Sequence, residues 1–177
     1  LNSVFLVACP GSGKTRALTY KIAKELTELK EKNKWVVAIT YTHRAADEIK
    51  ERIEHLGVDT SQLWIGTIHS FCIEWIIKPY GCYHDALKYG YSIINSFDSE
   101  EYITEICSNY TRPKVTFYDC SYYFTSQEIV YSSCGQSKLA DVKEIIEQYH
   151  SLLLEANLID FEQILFFANQ LIQEEPM

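Results

Sequence analysis

The sequence of 177 residues lacks any apolar run close to the roughly 20 residues that a membrane-spanning helix needs. It also lacks a positively charged start followed by an apolar stretch, which would mark a secretion signal. No internal repeat and no low-complexity segment is present. Hydrophobic residues make up 47% and aromatic residues 14% of the chain, which excludes a disordered protein. These features predict a cytoplasmic globular chain, with no membrane partner, that is long enough to bury a core.

Metal-binding cysteine patterns are also missing. No C-x-x-C pair occurs, and no histidine lies at zinc-binding spacing from a cysteine. A structural metal or an iron–sulfur cluster is therefore not expected. Without a secretion signal, the cysteines are expected to be buried, reduced thiols. They lie at positions 9, 72, 82, 107, 120 and 134.

An overall basic charge is the third absence. The chain has 16 Lys and Arg against 24 Asp and Glu, a net charge of −8, which excludes a wholly basic nucleic-acid coat protein. The charge is unevenly spread, because residues 1–53 hold 10 basic and 6 acidic side chains whereas residues 54–177 hold 6 basic and 18 acidic ones. An anion-binding surface is therefore expected in the first third of the chain.

Strand-like and helix-like patterns alternate three times before Pro79. Apolar runs predict buried strands, and apolar residues spaced three or four apart predict the intervening helices. This alternation predicts an α/β fold with a parallel sheet, both faces of which are covered. The predicted strands are 3–8, 35–40 and 63–65, and the predicted helices are 14–32, 43–56 and one that starts after Thr67 and is ended by Pro79.

The pattern changes after Pro79, where ten of the 13 tyrosines lie between residues 80 and 131. Helical pieces are expected near 99–109 and 126–133. A longer helix is expected from a cap at Ser137 to about Ala156, and a last helix from a cap at Asp160, with Gln163 as its partner. Residues 80–156 are thus predicted to form a mostly helical insertion, whose tyrosines are expected to pack it rather than to contact a ligand.

A phosphate-binding loop (P-loop, Walker A) lies between the first predicted strand and helix, which is the context that this motif requires. Its glycines let successive backbone N–H groups point at one anion, and the helix N-terminus adds its positive end. Lys14 can reach the β- and γ-phosphates of a nucleotide, and the Thr15 hydroxyl can ligate Mg²⁺. The candidate nucleotide-binding residues are Ala8, Cys9, Pro10, Gly11, Ser12, Gly13, Lys14, Thr15 and Arg16.

Polar residues also follow the second and third predicted strands, at the edge of an open α/β sheet where ligands bind. Thr42, His43 and Arg44 open one helix, where free N–H groups favour phosphate. Thr67 and Ser70 open the next and can donate to phosphate oxygens, while His69 or Phe71 can stack on a base. A helix cap with a solvated arginine explains the first group equally well, and Phe71 fits a core aromatic better than a stacking residue.

The three segments together resemble motifs I, Ia and Ib of UvrD/Rep-like superfamily 1 DNA helicases. They read "ACPGSGKTRAL", "AITYTHRAADEIKERI" and "IGTIHSFC", and the later "LIDFEQILFFANQLI" is similar to the helix that returns to the first motor domain of that family. The resemblance implies a P-loop NTPase (RecA-like) motor domain 1A over 1–79, an inserted subdomain 1B over 80–156, and a returning helix over 157–177.

The resemblance also implies an activity, namely ATP-driven 3′→5′ movement on single-stranded DNA with Mg²⁺ as cofactor. Lys14 and Thr15 would be catalytic, with Thr15 on the metal, and Thr42, His43, Arg44, Thr67 and His69 would contact the DNA backbone. Two residues depart from the family pattern: His43 stands where Asn is usual, and Ile68 stands where many members have an aromatic residue, so base stacking at position 68 is in doubt.

The glutamine motif that reads adenine, the Walker B acidic pair and the second motor domain are not found in the 177 residues. We therefore expect an amino-terminal fragment of a longer helicase, inactive without the remainder of that chain. Two alternatives stay open: a P-loop small-molecule or nucleoside kinase, and a helicase-like nucleotide- or DNA-sensing subunit of an antiphage-defence complex of the Gabija type, with a nuclease partner.

Overall fold

A computed structural model describes residues 3, 5, 7, 9, 11–125, 128–132 and 134–174. The chain divides into two compact units, one up to Phe71 and the other from Cys72 onward. The three-part division predicted from the sequence places its first boundary at residue 79 instead. Each unit has its own core and is described separately.

The first unit is an α/β arrangement. Strands β1 and β2 pair in parallel, with Val36 opposite Leu63 and Thr40 opposite Thr67. Its core joins the first helix, the second helix and β1 through Ile22, Ile49, Ile53 and Ala38. This confirms the predicted parallel pairing of the second and third strands. The elements are α1 (Lys14–Glu28), β1 (Val36–Thr40), α2 (His43–Glu54), β2 (Leu63–Thr67) and α3 (Ile68–Phe71).

Two expectations for this unit differ from the structure. The predicted first strand, 3–8, includes residues 4, 6 and 8, which lie outside those described, and the side chains of Phe5 and Val7 are exposed instead of buried. In β1, Ala38 is buried but Val37 and Ile39 are exposed, because successive side chains point to opposite faces and one face of the strand is open. Burial on both faces is therefore not observed.

The second unit is mainly helical, with two small sheets. Strands β3 and β6 pair in parallel, and β4 and β5 pair antiparallel. The last helix packs against a π-helical turn at Cys72–Ile77. The elements are α4 (Lys78–Tyr80), β3 (Ser92–Ile93), α5 (Ser96–Cys107), β4 (Tyr122–Phe124), β5 (Ile129–Tyr131), α6 (Leu139–Glu155), β6 (Leu158–Ile159) and α7 (Phe161–Glu174), with 3₁₀ turns at Gly81–Tyr83 and Phe117–Asp119.

Helix α6 forms the centre of this core. Its buried side chains recur every three or four residues, as the sequence pattern predicts, and they pack against α5 and the segments that follow it. Tyr110, Tyr122 and Tyr131 pack around the same core, whereas Tyr118 is exposed. Most of the burial on α6 comes from Val142, Ile145, Ile146, Tyr149 and Leu153.

Three local predictions for the second unit are wrong. The helix expected at 126–133 is strand β5 wherever it is described, because its Ile-Val-Tyr run pairs with β4; residues 126, 127 and 133 lie outside the described part. Ser137 does not cap α6, since Lys138 holds that position without a side-chain cap. Pro79 does not end the helical segment, because it lies in the first turn of α4, where a missing N–H is tolerated.

The cap predicted for α7 is confirmed. The Gln163 N–H donates to Asp160 Oδ1 at 2.8 Å, and the Asp160 N–H donates to Gln163 Oε1 at 3.2 Å. This reciprocal pair satisfies two backbone donors that the helix start would otherwise leave unpaired. The start of α7 is therefore set by its own sequence.

Candidate nucleotide and nucleic-acid site

The P-loop turns into α1 through two glycines in left-handed backbone conformations. Gly11 has φ +77° and Gly13 has φ +86°, and Gly13 is the N-cap of the helix. Other residue types rarely adopt this region, which explains why glycine stands at both positions. Ala8 and Pro10, two of the predicted nucleotide-binding residues, lie outside the described residues.

Hydrogen-bond donors of the loop converge on one acceptor. The carbonyl oxygen of Cys9 accepts from the Ser12 N–H at 3.2 Å, the Ser12 hydroxyl at 2.6 Å and Lys14 Nζ at 2.8 Å. A backbone N–H, a hydroxyl and an ammonium around one oxygen are the groups that a phosphate oxygen would attract. The donor set of the loop therefore fits an anion.

Thr15 and Arg16 follow on the first turn of α1. Thr15 is half-buried, and its carbonyl accepts from the Thr19 hydroxyl at 2.9 Å. The exposed Arg16 guanidinium lies 5.7 Å from the ring centroid of Tyr20, one turn further along. The helix thus presents a hydroxyl oxygen and a guanidinium beside the loop.

The ends of β1 and β2 bring two of the three predicted segments together. Thr40 and Thr67 are register partners at the last positions of the two parallel strands. The Thr40 hydroxyl donates to the Thr42 carbonyl at 2.9 Å, and Thr42 Oγ1 accepts from the Ala45 N–H at 3.2 Å. The helix that starts with His43 therefore begins at the same sheet edge as the segment that follows Thr67.

The second segment is anchored in a similar way. Thr67 Oγ1 accepts from the Ser70 N–H at 3.2 Å and lies 3.0 Å from the Ser70 hydroxyl. His69 is half-buried, and burial lowers the pKa of its imidazole, so the ring is neutral at pH 7. The ring of Phe71 meets that of Trp64 edge-on at 5.5 Å, which is the geometry of a packed aromatic pair. Ile68 is exposed.

The charges in the first helical turns differ between α1 and α2 on one side and the three longer helices of the second unit on the other. The first turns of α1 and α2 contain no acidic residue, and they carry Lys14, Arg16 and Arg44. Helices α5, α6 and α7 instead carry an acid in the first turn: Asp98, Asp141 and Glu162. A basic residue at a helix N-terminus opposes the helix dipole, and an anion bound there relieves the conflict. The starts of α1 and α2 therefore lack the acidic residue that would suit the helix dipole.

Some residues near the site were missed by sequence reasoning. Gly66 has no room for a side chain, because a Cβ would lie 2.5 Å from the Trp64 ring. Thr40 is the polar residue that closes an apolar run, and such a residue at a sheet edge is a usable signal for a site. A cleft of about 350 Å³ between α1 and α2 also has no sequence signal, since its residues come from two helices: Arg16, Thr19, Tyr20, Arg52, His55 and Leu56.

The part of the chain that the structure describes contains neither a membrane-spanning helix nor a cluster of metal-binding side chains. No helix in that part of the chain is both long and apolar enough to cross a membrane. No group of three or more His, Cys, Asp or Glu side chains that could hold a metal ion occurs there either.

Comparison with known families identifies the class of protein to which this chain belongs. The profile of the UvrD/REP helicase N-terminal domain matches residues 1–177, so the chain belongs to this family. The chain is 29% identical to the ATP-dependent DNA helicase PcrA of Bacillus subtilis (strain 168), in an alignment that covers 98% of the chain and 24% of that protein.

Staphylococcal proteins named ATP-dependent DNA helicase PcrA match a shorter stretch. The Staphylococcus epidermidis RP62A protein is 35% identical over 108 residues, which cover 58% of this chain and 14% of the relative. The Staphylococcus aureus NCTC 8325 protein is 35% identical over 111 residues, which cover 60% of the chain and 14% of the relative. The chain thus spans less than a quarter of the length of each of these relatives.

Proposed function

We propose that this chain is the ATP-binding amino-terminal part of an ATP-dependent 3′→5′ DNA helicase that moves along single-stranded DNA. Residues 8–16 would hold Mg-ATP, and the ends of β1 and β2 would hold the DNA backbone. Thr42, His43, Arg44, Thr67, His69 and Ser70 are the proposed DNA contacts. For Phe71 the edge-on contact with Trp64 favours a packing role, as weighed in the sequence analysis.

The pairing of Thr40 with Thr67 carries the proposal. It puts the residues that open α2 and those that follow β2 at one sheet edge, although about 25 residues separate them in the chain. A DNA strand crossing this edge would meet threonine and serine hydroxyls and the exposed Arg44, a set suited to phosphates. Recognition through the DNA backbone requires no particular base sequence. A motor that moves along DNA needs this property because it must bind every sequence that it crosses.

Nucleotide binding would rearrange the P-loop. Lys14 Nζ would leave the Cys9 carbonyl for the β- and γ-phosphates, and the amide groups of the loop would turn toward the same oxygens. The Thr15 hydroxyl would contact Mg²⁺, which when bound neutralises charge on the phosphates. The charge that develops during phosphoryl transfer would therefore be met by Lys14 from the protein side.

The first test concerns Lys14 in the full-length helicase that the proposal implies. We expect Lys14→Ala to abolish ATP hydrolysis, measured as phosphate release in the presence of single-stranded DNA. Lys24→Ala is the matched control, because Lys24 lies on the same helix and makes only an exposed ion pair with Glu28 at 3.6 Å. Undiminished turnover of Lys14→Ala would contradict the assignment of the P-loop.

A further inference from the structure

Two buried cysteines of the second unit lie in direct contact. The sulfur atoms of Cys107, the last residue of α5, and Cys120, just after the 3₁₀ turn, are 3.7 Å apart. Both side chains belong to the hydrophobic core, and both are at most 5% exposed. A third cysteine, Cys134, packs against the same core and is only partly buried.

Each of the two cysteines lines a different cavity. Cys107 lines a cavity of about 620 Å³ whose rim includes the exposed residues Lys114 and Tyr118. Cys120 lines a second cavity of about 290 Å³. Because exposed residues form part of its lining, the larger cavity offers an approach from solvent toward Cys107.

We propose that Cys107 and Cys120 form a disulfide-forming pair, oxidised through the larger cavity by a low-molecular-weight disulfide. The Cys107 thiolate attacks one sulfur of that disulfide, and the first small thiolate leaves. The Cys120 thiolate then attacks Cys107 in the mixed disulfide, forming the protein S–S bond and releasing the second small thiolate. Two electrons pass from the protein thiols to the small disulfide, and the two protons lost by the protein are taken up by the leaving thiolates.

The environment of the two thiols is consistent with this order of events. Burial raises the pKa of both thiols, so neither is a reactive thiolate in the closed core. The hydrogen bond between the two sulfurs opposes this rise at Cys107 and adds to it at Cys120. Cys107 lines the larger cavity and is therefore the one placed to attack first, and because the pKa of both thiols is raised, exchange is expected to be slow.

Peptide mapping tests the proposal on the whole chain. The folded protein is incubated with oxidised glutathione, free thiols are alkylated in denaturant, and the pairing is read by mass spectrometry after cleavage at Lys114 and Glu128, which separates the three cysteines. We expect the Cys107–Cys120 bridge to exceed every other pairing by about tenfold, because native contact gives this pair the highest effective concentration.

A different dominant bridge, such as Cys120–Cys134, would overturn the proposal, and so would both thiols remaining free or stopping at mixed disulfides. The urea-unfolded chain is the control, and the same scattered pairing before and after unfolding would also overturn it. Cys82→Ser, which removes an exposed thiol, is expected to leave the bridge intact, whereas Cys107→Ser is expected to abolish it. The mapping of the unmodified chain decides the question even where a variant fails to fold.

Discussion

At the scale of single residues, Asp160 connects more of the second unit than any sequence pattern indicates. Its Oδ2 accepts from the hydroxyls of Tyr122 and Tyr149, both at 2.9 Å, while its Oδ1 caps α7. His150 adds a contact of 3.0 Å to the Tyr122 hydroxyl. Burial, followed by the charge of Asp160, raises the pKa of both tyrosines, so they remain hydroxyl donors to the carboxylate.

The first residue-scale prediction removes this acceptor. Asp160→Ala should lower the free energy of unfolding by about 2–4 kcal/mol, because it removes the carboxylate that accepts from the Tyr122 and Tyr149 hydroxyls and also removes a helix cap. Urea denaturation followed by circular dichroism measures the loss. The control is Asn95→Ala, which removes the exposed cap of α5 and should cost about 1 kcal/mol. Equal losses in the two variants would contradict a role beyond capping.

A second residue-scale prediction concerns pH. Burial lowers the pKa of His150, and the nearby Asp160 only partly opposes this. The unfolded chain therefore binds more protons than the folded chain as the pH falls below about 6.5. Stability is present above that pH and is lost as the pH falls further, by at most about 1.4 kcal/mol per pH unit for one proton.

His150→Gln tests this sign, because it keeps a hydrogen-bonding group and removes the titration. Urea midpoints between pH 5 and 7.5 should depend less on pH in the variant than in the unmodified chain. His69, whose pKa is also lowered by burial, contributes equally to both proteins and cancels in the comparison. Glu162 has a raised pKa, again from burial, and acts with the opposite sign at lower pH in both. Parallel pH profiles would show that His150 contributes nothing.

At the scale of helices and strands, the start of α2 shows that a residue proposed to bind DNA can oppose the stability of its own helix. Thr42 caps the helix well, yet Arg44 stands in the first turn where an acid would suit the dipole. Helices α5 to α7 do carry such acids, so these three helices follow the stability rule that α1 and α2 break. Local departures of this kind are expected where a surface serves a ligand.

The element-scale prediction exploits this conflict. Arg44→Glu should leave the stability unchanged or raise it by about 0.3–1 kcal/mol, while weakening the binding of labelled oligo(dT) at low salt. The slope of log affinity against log salt should also fall in magnitude by about 0.7, the contribution of one phosphate contact. Lys50→Glu, on the same helix but beyond its first turn, is the control and should affect binding less. A loss of stability with unchanged binding would count against the DNA assignment.

Elements with local signals were predictable, and those that depend on distant partners were not. The cap of α7 and the apolar spacing of α6 each depend only on residues that are close together in the sequence. The segment 126–133 carries a helix-compatible pattern but becomes strand β5 where it is described, because β4 offers a partner for Ile129–Tyr131. Lys138 holds the position predicted for Ser137 at the start of α6, and its ammonium reaches Asp119 at 2.9 Å, a contact that spacing along the chain does not show.

The candidate site divides in the same way. The P-loop and the polar strand ends are contiguous motifs, so their residues could be named from the sequence. The register that sets Thr40 beside Thr67, the close approach of Gly66 to Trp64 and the cleft between α1 and α2 each require two segments to meet. The groups proposed to bind phosphate can therefore be named from the sequence, whereas the surface that surrounds them cannot.

At the scale of the whole molecule, the positively charged part of the chain is also the part that holds the residues proposed to bind ATP and the first residues proposed to bind DNA. The balance of +4 in residues 1–53 coincides with the P-loop and the start of α2, while residues 54–177 hold 18 acidic side chains. Binding of single-stranded DNA through so few basic residues is expected to be weak and to decrease steeply with salt. The net charge of −8 therefore arises from residues 54–177, whereas the P-loop and the start of α2 lie in the part of the chain that is net positive.

The last prediction concerns the chain by itself. Phosphoryl transfer needs a carboxylate that holds the metal, a group that positions water, and arginines on the transferred phosphate. Within the described residues, the proposed site supplies a lysine, a hydroxyl and loop amides. We therefore expect the purified chain to bind Mg-nucleotide weakly and to release phosphate no faster when oligo(dT) is added. Lys14→Ala is the control for nucleotide binding. If added oligo(dT) stimulates phosphate release by the unmodified chain, and Lys14→Ala abolishes that stimulation, the chain is a complete ATPase and the prediction is wrong.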